Sequence, residues 1–123
     1  MKTSELTGIA LDWAVELAKG THWSVHGYFV FKYANGTTRT FERKPEWRYS
    51  TDWSQGGPII ERERLNLRAS GAGDWVASTH DVQHPDRVIQ YAPTPLIAAM
   101  RCYVASKFGD EIEVPEEYES TRP

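Results

Sequence analysis

The stretch from Tyr49 to Arg62, which reads YSTDWSQGGPIIER, concentrates side chains that could hold a ligand. The paired glycines Gly56 and Gly57 allow a backbone to approach a ligand closely or to adopt a positive φ. Trp53 offers a face for stacking, and hydrogen-bonding groups stand beside it at Asp52, Ser54 and Gln55. These residues favour a small-molecule pocket. The alternative is a tight loop in which Gly-Gly-Pro turns the chain into a strand and Trp53 fills the core.

Arginines could add positive charge to such a pocket, because a guanidinium grips phosphate through two hydrogen bonds. The candidates are Arg62, Arg64, Arg68 and Arg101. Glu61 and Glu63 could equally pair with them. The sequence therefore leaves open which arginine faces a ligand.

A second group alternates basic and aromatic residues, a combination that can hold a single nucleic-acid strand by phosphate contact and base stacking. Its members are Arg39, Phe41, Arg43, Lys44, Trp47, Arg48 and Tyr49. Glu42 and Glu46 dilute the positive charge, so a solvated surface is the competing interpretation.

Metal and thiol chemistry find little support in the sequence. The histidines fall into two pairs with four-residue spacing, His22 with His26 and His80 with His84, which suits zinc only on a helix. The first pair leads into an expected strand and the second precedes Pro85, so no metal site and no cofactor are predicted. Cys102 is the only cysteine and should pack as a small hydrophobe.

Charge is distributed unevenly along the chain. The formal net charge is −3, but residues 110–119 alone carry −6, which leaves +3 on the remainder. This modest positive charge is far below the basic balance typical of proteins that bind duplex DNA. No apolar run approaches the roughly 20 residues that span a bilayer, and no secretory signal opens the chain, so we expect cytoplasmic action.

The spacing of apolar residues predicts the elements that must position these groups. Leu6, Ile9, Ala10, Trp13 and Leu17 form one stripe of a helix that runs from Ser4 or Thr7 to Lys19, with Gly20 as its stop. Thr94 and Pro95 begin a second helix that ends at Lys107 and Gly109. Its predicted apolar face consists of Leu96, Ile97, Met100, Tyr103, Val104 and Phe108.

Between the helices the apolar pattern changes to a period of two, which is typical of strands. Residues 28–33 and 37–43 predict an antiparallel pair joined by a turn at Asn35-Gly36. Residues 59–67 and 75–78 predict two more strands around a turn at 71–74, although 61–67 could instead form a short helix. We therefore expect an α+β fold with a small antiparallel sheet and two amphipathic helices, as a single domain over 1–114 followed by a flexible acidic tail over 115–123.

Three blocks resemble the NinX-like family of small temperate-phage and prophage accessory proteins. They are residues 4–15, which include SELTG and ALDWAV, residues 52–62, which read DWSQGGPIIER, and residues 94–101, which read TPLIAAMR. The resemblance implies a phage or prophage origin and action in the bacterial cytoplasm, without implying a defined activity. The segment from Gly27 to Trp47 is longer than in the short family members, so no role is carried over to it.

The resemblance falls on the residues that we select as ligand-binding candidates: Asp52, Trp53, Gln55, Gly56, Gly57, Arg62 and Arg101. The leading hypothesis is a non-enzymatic binding module for a small anionic, nucleotide-like metabolite, in which Trp53 stacks and Arg62 or Arg101 neutralises charge. One alternative is a module that binds a host or phage protein through exposed aromatics such as Tyr28, Phe41 or Trp47. Another is a small enzyme that acts on a nucleotide derivative.

Overall fold

The computed structural model describes residues 1–19, 47–79 and 87–114 in full, together with the backbone of strands at 21–23, 29–32 and 38–41. The elements, in chain order, are a 3-10 turn Thr3–Glu5, α1 Gly8–Ala18, β1 Thr21–Trp23, β2 Phe29–Lys32, β3 Thr38–Phe41, α2 Trp53–Glu63, β4 Asn66–Ala69, β5 Trp75–Ser78, β6 Ile89–Ala92 and α3 Pro95–Phe108. The α+β class is confirmed. The expected number of helices is wrong, since the described residues form three α-helices.

Helix α3 lies at the centre of the fold and begins as predicted. The Thr94 hydroxyl accepts a hydrogen bond from the Ile97 amide at 3.2 Å, and Pro95 occupies the first helical position. Small residues Ala98, Ala99, Cys102 and Ala105 are buried together with most of the predicted apolar face, of which Ile97 is half-buried. A helix that is apolar on most sides is buried on most sides, and α3 contacts α1, α2 and the strands β4 to β6. Phe108 departs from the predicted face, because its side chain is exposed.

Helix α1 is also buried over more than the predicted stripe. Leu11, Ala14 and Val15 are fully buried beside the predicted Ala10 and Trp13. Two acidic residues of this helix, Asp12 and Glu16, are buried with them. Buried carboxylates require hydrogen-bond partners. The partner of Asp12 is the Ser50 amide in the segment that precedes α2, and the partner of Glu16 is Lys19 at the end of α1.

The strands form two antiparallel three-stranded sheets, β1-β2-β3 and β4-β5-β6. The predicted pair at 28–33 and 37–43 is confirmed as β2 and β3, with Lys32 opposite Thr38, while the turn at Asn35-Gly36 lies outside the described residues. Strand β5 is confirmed over 75–78, and the Ser70 amide donates to the Asp74 carbonyl across the predicted turn. Strands β1 and β6 were not expected.

The segment predicted as a central loop is a helix. Asp52 is the N-cap of α2, which runs from Trp53 through Gly56, Gly57 and Pro58 to Glu63, and Arg64 caps its end in a left-handed conformation. A strand over 59–67 is therefore wrong for residues 59–63, and the alternative helix over 61–67 begins too late. The strand proper starts at Asn66.

The first residues of the chain pair with the residues that follow α3. The Thr3 amide donates to the Asp110 carbonyl at 2.9 Å, and the Ile112 amide donates to the Met1 carbonyl at 2.9 Å. Lys2 and Glu111 form an antiparallel bridge between these backbones. This pairing holds residues 1–3 against the end of α3, while the predicted tail over 115–123 lies outside the described residues.

Candidate functional site

The candidate site is built around the beginning of α2, where Asp52 caps the helix. Its Oδ1 accepts hydrogen bonds from the Ser54 amide at 2.9 Å and from the Ser54 hydroxyl at 2.6 Å. These bonds, the hydroxyl's first, lower the pKa of Asp52, and the nearby Arg48 contributes. The Gln55 side-chain oxygen accepts from the Arg48 amide at 2.8 Å. Asp52 and Gln55 thus hold the approach to α2 in place.

The two glycines of α2 have different surroundings. A Cβ atom on Gly56 would lie 2.5 Å from the Tyr49 carbonyl oxygen and 2.6 Å from Cδ1 of Leu96, so the helix packs against α3 at a point where it carries no side chain. A Cβ atom on Gly57 would meet nothing within 4 Å. Gly56 is therefore required by helix packing, whereas Gly57 borders open space.

Trp53 occupies the first position of α2 and is 53% exposed. The alternative in which Trp53 fills the core is therefore wrong. It borders a cavity of about 260 Å³, which Ser50 and Thr51 line on the same side and residues 94–97 line on the other. The first turns of α2 and α3 therefore meet at one cavity, beside an exposed indole ring.

Two backbone amides at these first turns lack hydrogen-bond partners in the described structure. Within the described part of the chain, no hydrogen bond uses the amide N–H of Trp53 or of Leu96. Both residues line the cavity. The first N–H groups of a helix lack partners inside it and carry partial positive charge, so they attract acceptors and anions.

Arg62 lies far from Trp53 along α2. Their positions differ by nine, which corresponds to about 14 Å of rise and about two and a half turns, so they lie on opposite sides of the helix. The Arg62 guanidinium donates to Glu63 at 3.1 Å and to the Tyr103 hydroxyl at 3.3 Å. The bond with Glu63 is the main reason why its pKa is raised. Arg62 thus contacts α3 at the other end of α2.

Arg101 is committed to backbone carbonyls that belong to two other segments. Its Nε donates to the Leu6 carbonyl at 2.7 Å and Nη1 donates to the Tyr91 carbonyl at 2.9 Å. Partial burial lowers the pKa of its guanidinium. The structure therefore groups Asp52, Trp53, Gln55, Gly56 and Gly57 at one end of α2, and it places Arg62 and Arg101 in other contacts.

A buried carboxylate close to the site was not foreseen from the sequence. Asp12 of α1 is 6% exposed, and its Oδ1 accepts from the Ser50 amide at 2.8 Å. Burial raises the pKa of Asp12, and hydrogen bonding from Ser50 opposes this rise. Ser50 lines the cavity beside Trp53, so Asp12 fixes one wall of the site from behind. The sequence did carry a signal for this buried carboxylate, because Asp12 stands among the apolar residues of α1.

A neighbouring contact fixes the same segment. The Lys19 ammonium donates to the Tyr49 hydroxyl at 2.9 Å and lies 3.4 Å from the Glu16 carboxylate. It also stands 4.8 Å from the centre of the Tyr49 ring. Asp12 of α1 and Lys19 at its end therefore fix Ser50 and Tyr49, the two residues that lead into α2.

The remaining candidates fall outside this site. Trp47 is buried, so the expectation of an exposed aromatic there is wrong. Cys102 is fully buried, and burial raises the pKa of its thiol to about 12, which confirms a packing role. His22 belongs to β1, and the other three histidines lie outside the described residues. Among the side chains that are described, no three potential ligands gather as a metal site.

Fold and site together define a small α+β protein with an open cavity between two helix beginnings. Within the described residues, no helix has the length and apolar character needed to cross a bilayer. The family model described as Bacteriophage P22, NinX matches residues 2–107. The chain therefore belongs to the NinX family. The comparison with curated proteins finds no match.

Proposed function

We propose that this NinX family member is a non-enzymatic binding module that holds a small ligand, with a flat ring and an anionic or acceptor group, in the cavity beside Trp53. The observation that carries the proposal is the half-exposed indole ring at the edge of a cavity of about 260 Å³. A flat ring makes favourable contact by stacking on an indole ring, whichever substituents it carries.

The amides of Trp53 and Leu96 would bind the acceptor end of the ligand. Asp52 stands at the first turn of α2, and its lowered pKa keeps it negatively charged near neutral pH. This charge repels an anion on that side. The neutral cap Thr94 at the first turn of α3 has no such effect, so the anionic group should lie nearer to Leu96.

The size of the cavity restricts the ligand. Sites for small molecules usually measure about 300–1,000 Å³, and this cavity lies just below that range. It suits one ring or one acidic group, so the rest of a nucleotide-like ligand would extend past the exposed face of Trp53. The proposal assigns Arg62 and Arg101 to packing, because both guanidinium groups already have partners.

Native mass spectrometry of the protein purified from its bacterial host tests the proposal. We expect the intact mass to exceed the denatured mass by the mass of a released small molecule. Trp53→Ala should abolish this difference, and Tyr91→Ala is the matched control, because Tyr91 is equally exposed at 53% but does not line the cavity. An apo mass for the wild type, together with no binding in a screen of anionic ring compounds, would exclude the proposal.

The second candidate is a module that binds a protein segment, favoured by the same exposed Trp53. A partner would insert an apolar side chain into the cavity, whose walls at Pro95, Leu96 and Ile97 are apolar. Affinity capture from phage-infected cells would then recover one stoichiometric protein with the wild type and with Tyr91→Ala, but not with Trp53→Ala. A small molecule in the mass measurement would decide against this candidate.

A further inference from the structure

A second cavity, independent of the one beside Trp53, lies where the start of the chain meets the end of α3. Its volume is about 350 Å³, which is room for roughly ten water molecules. Its lining consists of Lys2, Thr3, Ser4, Gln90, Asp110 and Glu111. Three separate segments therefore supply polar groups to one space.

Gln90 distinguishes this cavity from an ordinary polar surface. Its side chain is only 8% exposed, because it lies on the buried face of β6 together with Ala92. No hydrogen bond to its side-chain amide occurs within the described part of the chain. The polar atoms of the amide are not fully buried, and Gln90 borders the cavity. The amide can therefore donate and accept hydrogen bonds with a molecule bound in the cavity, while the rest of Gln90 is held in place by burial.

The charged residues around Gln90 are also unpaired within the described residues. Lys2 and Glu111 are backbone bridge partners, yet their side chains form no ion pair. The Asp110 carbonyl accepts from Thr3, while no contact of its carboxylate occurs in the described structure. Lys2, Asp110 and Glu111, which are exposed to solvent, line the cavity and give its rim a net charge of −1.

We propose that this cavity binds a small zwitterion of net positive charge, which is the chemistry of a basic amino acid. The two carboxylates would bind its ammonium groups, Lys2 would bind its carboxylate, and Gln90 would hydrogen-bond to it inside the cavity. The charges of such a ligand complement those of the lining.

Calorimetric titration of the full chain with L-lysine and L-arginine tests this site. Putrescine, which lacks the carboxylate, and L-glutamate, which has the opposite net charge, are the comparison ligands. We expect a basic amino acid to bind at least tenfold more tightly than either. Gln90→Met should weaken binding at least tenfold, and Lys2→Gln should remove the preference over putrescine. The Trp53→Ala variant should bind L-lysine normally, which separates this site from the proposed function.

The side-chain amide signals of Gln90 in the NMR spectrum of the wild type provide a second readout. They should shift as the ligand is added, and this measurement remains valid even if Gln90→Met does not fold. No binding of either basic amino acid up to about 10 mM, equivalent to less than about 3 kcal/mol, would overturn the proposal. Equal binding of putrescine and L-lysine would overturn it as well.

Discussion

The Cβ atom that Gly56 lacks would stand 2.6 Å from Cδ1 of Leu96, so α2 and α3 meet at a point where one of them has no side chain. The Tyr49 carbonyl oxygen, at 2.5 Å, closes the same space from another direction. Because this second atom belongs to the backbone, rotation of a side chain cannot relieve the contact. The position of Trp53 and of the cavity depends on this close approach.

Gly56→Ala should therefore lower the free energy of unfolding by about 1–3 kcal/mol, the usual cost of overpacking. Gly57→Ala is the matched control on the same helix. Its new methyl group would meet no atom within 4 Å, so it should raise stability by about 0.5–1 kcal/mol through helix propensity. Urea unfolding of the two variants measures both changes. Equal effects of the two substitutions would contradict the packing described.

Asp12→Asn should stabilise the protein at neutral pH. Burial raises the pKa of Asp12 above its ordinary value of 3.8, so protonation favours the folded state. That contribution is fully present below pH 3.8 and is lost as the pH rises through the raised value. Asparagine keeps an acceptor for the Ser50 amide but carries no charge to desolvate.

The advantage of Asp12→Asn over the wild type should thus grow with pH, as urea unfolding between pH 4 and about pH 8 would show. Glu61→Gln, which removes one negative charge from the exposed surface of α2, controls for the change in net charge. If Asp12→Asn is less stable than the wild type at neutral pH, the carboxylate has a favourable partner that burial and Ser50 do not account for.

Arg101→Lys should destabilise the fold, because one ammonium cannot reproduce the two directed bonds to the carbonyls of Leu6 and Tyr91. The expected loss is about 1.5–3 kcal/mol, typical of a hydrogen bond from a charged donor. Arg62→Lys is the comparison, since the Arg62 side chain is 53% exposed and its pair with Glu63 should matter by less than about 1 kcal/mol. Similar unfolding curves for the two variants would argue against the anchoring role of Arg101.

Cys102 should resist thiol reagents in the folded protein. Its side chain has no exposure, and the pKa of about 12 leaves almost no thiolate at pH 8. An aromatic disulfide reagent should modify it only as the protein unfolds, with a rate that follows the unfolded fraction in urea. Rapid modification without urea would show that α3 opens locally while the rest of the fold persists.

The sequence predicted α3 well because its signals are local. Thr94, Pro95 and Gly109 mark the ends of this helix within its own sequence, and the observed bounds agree with them. What could not be predicted was the burial of Ala98 and Ala99, since it depends on α1 and the sheet approaching from the other sides. The exposure of Phe108 was likewise not evident from its place on the apolar face.

Helix α2 was missed because Gly56, Gly57 and Pro58 are strong signals for turns. The competing signals were present in the same segment: Asp52 as an N-cap, followed by Gly56, Ile59, Ile60 and Glu63 at helical spacing. The candidate residues at the start of α2 were therefore recognised by their chemistry, while their arrangement was not. Gly56 packs and Trp53 is exposed only because the segment is helical.

The contact between Thr3 and Asp110 joins residues that are 107 positions apart, and it has a consequence for synthesis on the ribosome. At about 5–20 residues per second, roughly 5–20 s pass between the addition of the two residues. Throughout that interval the first residues lack the backbone partners that order them, and α1 lacks the helix against which it is buried. The native packing of α1 thus waits for the synthesis of α3 and of the residues that follow it.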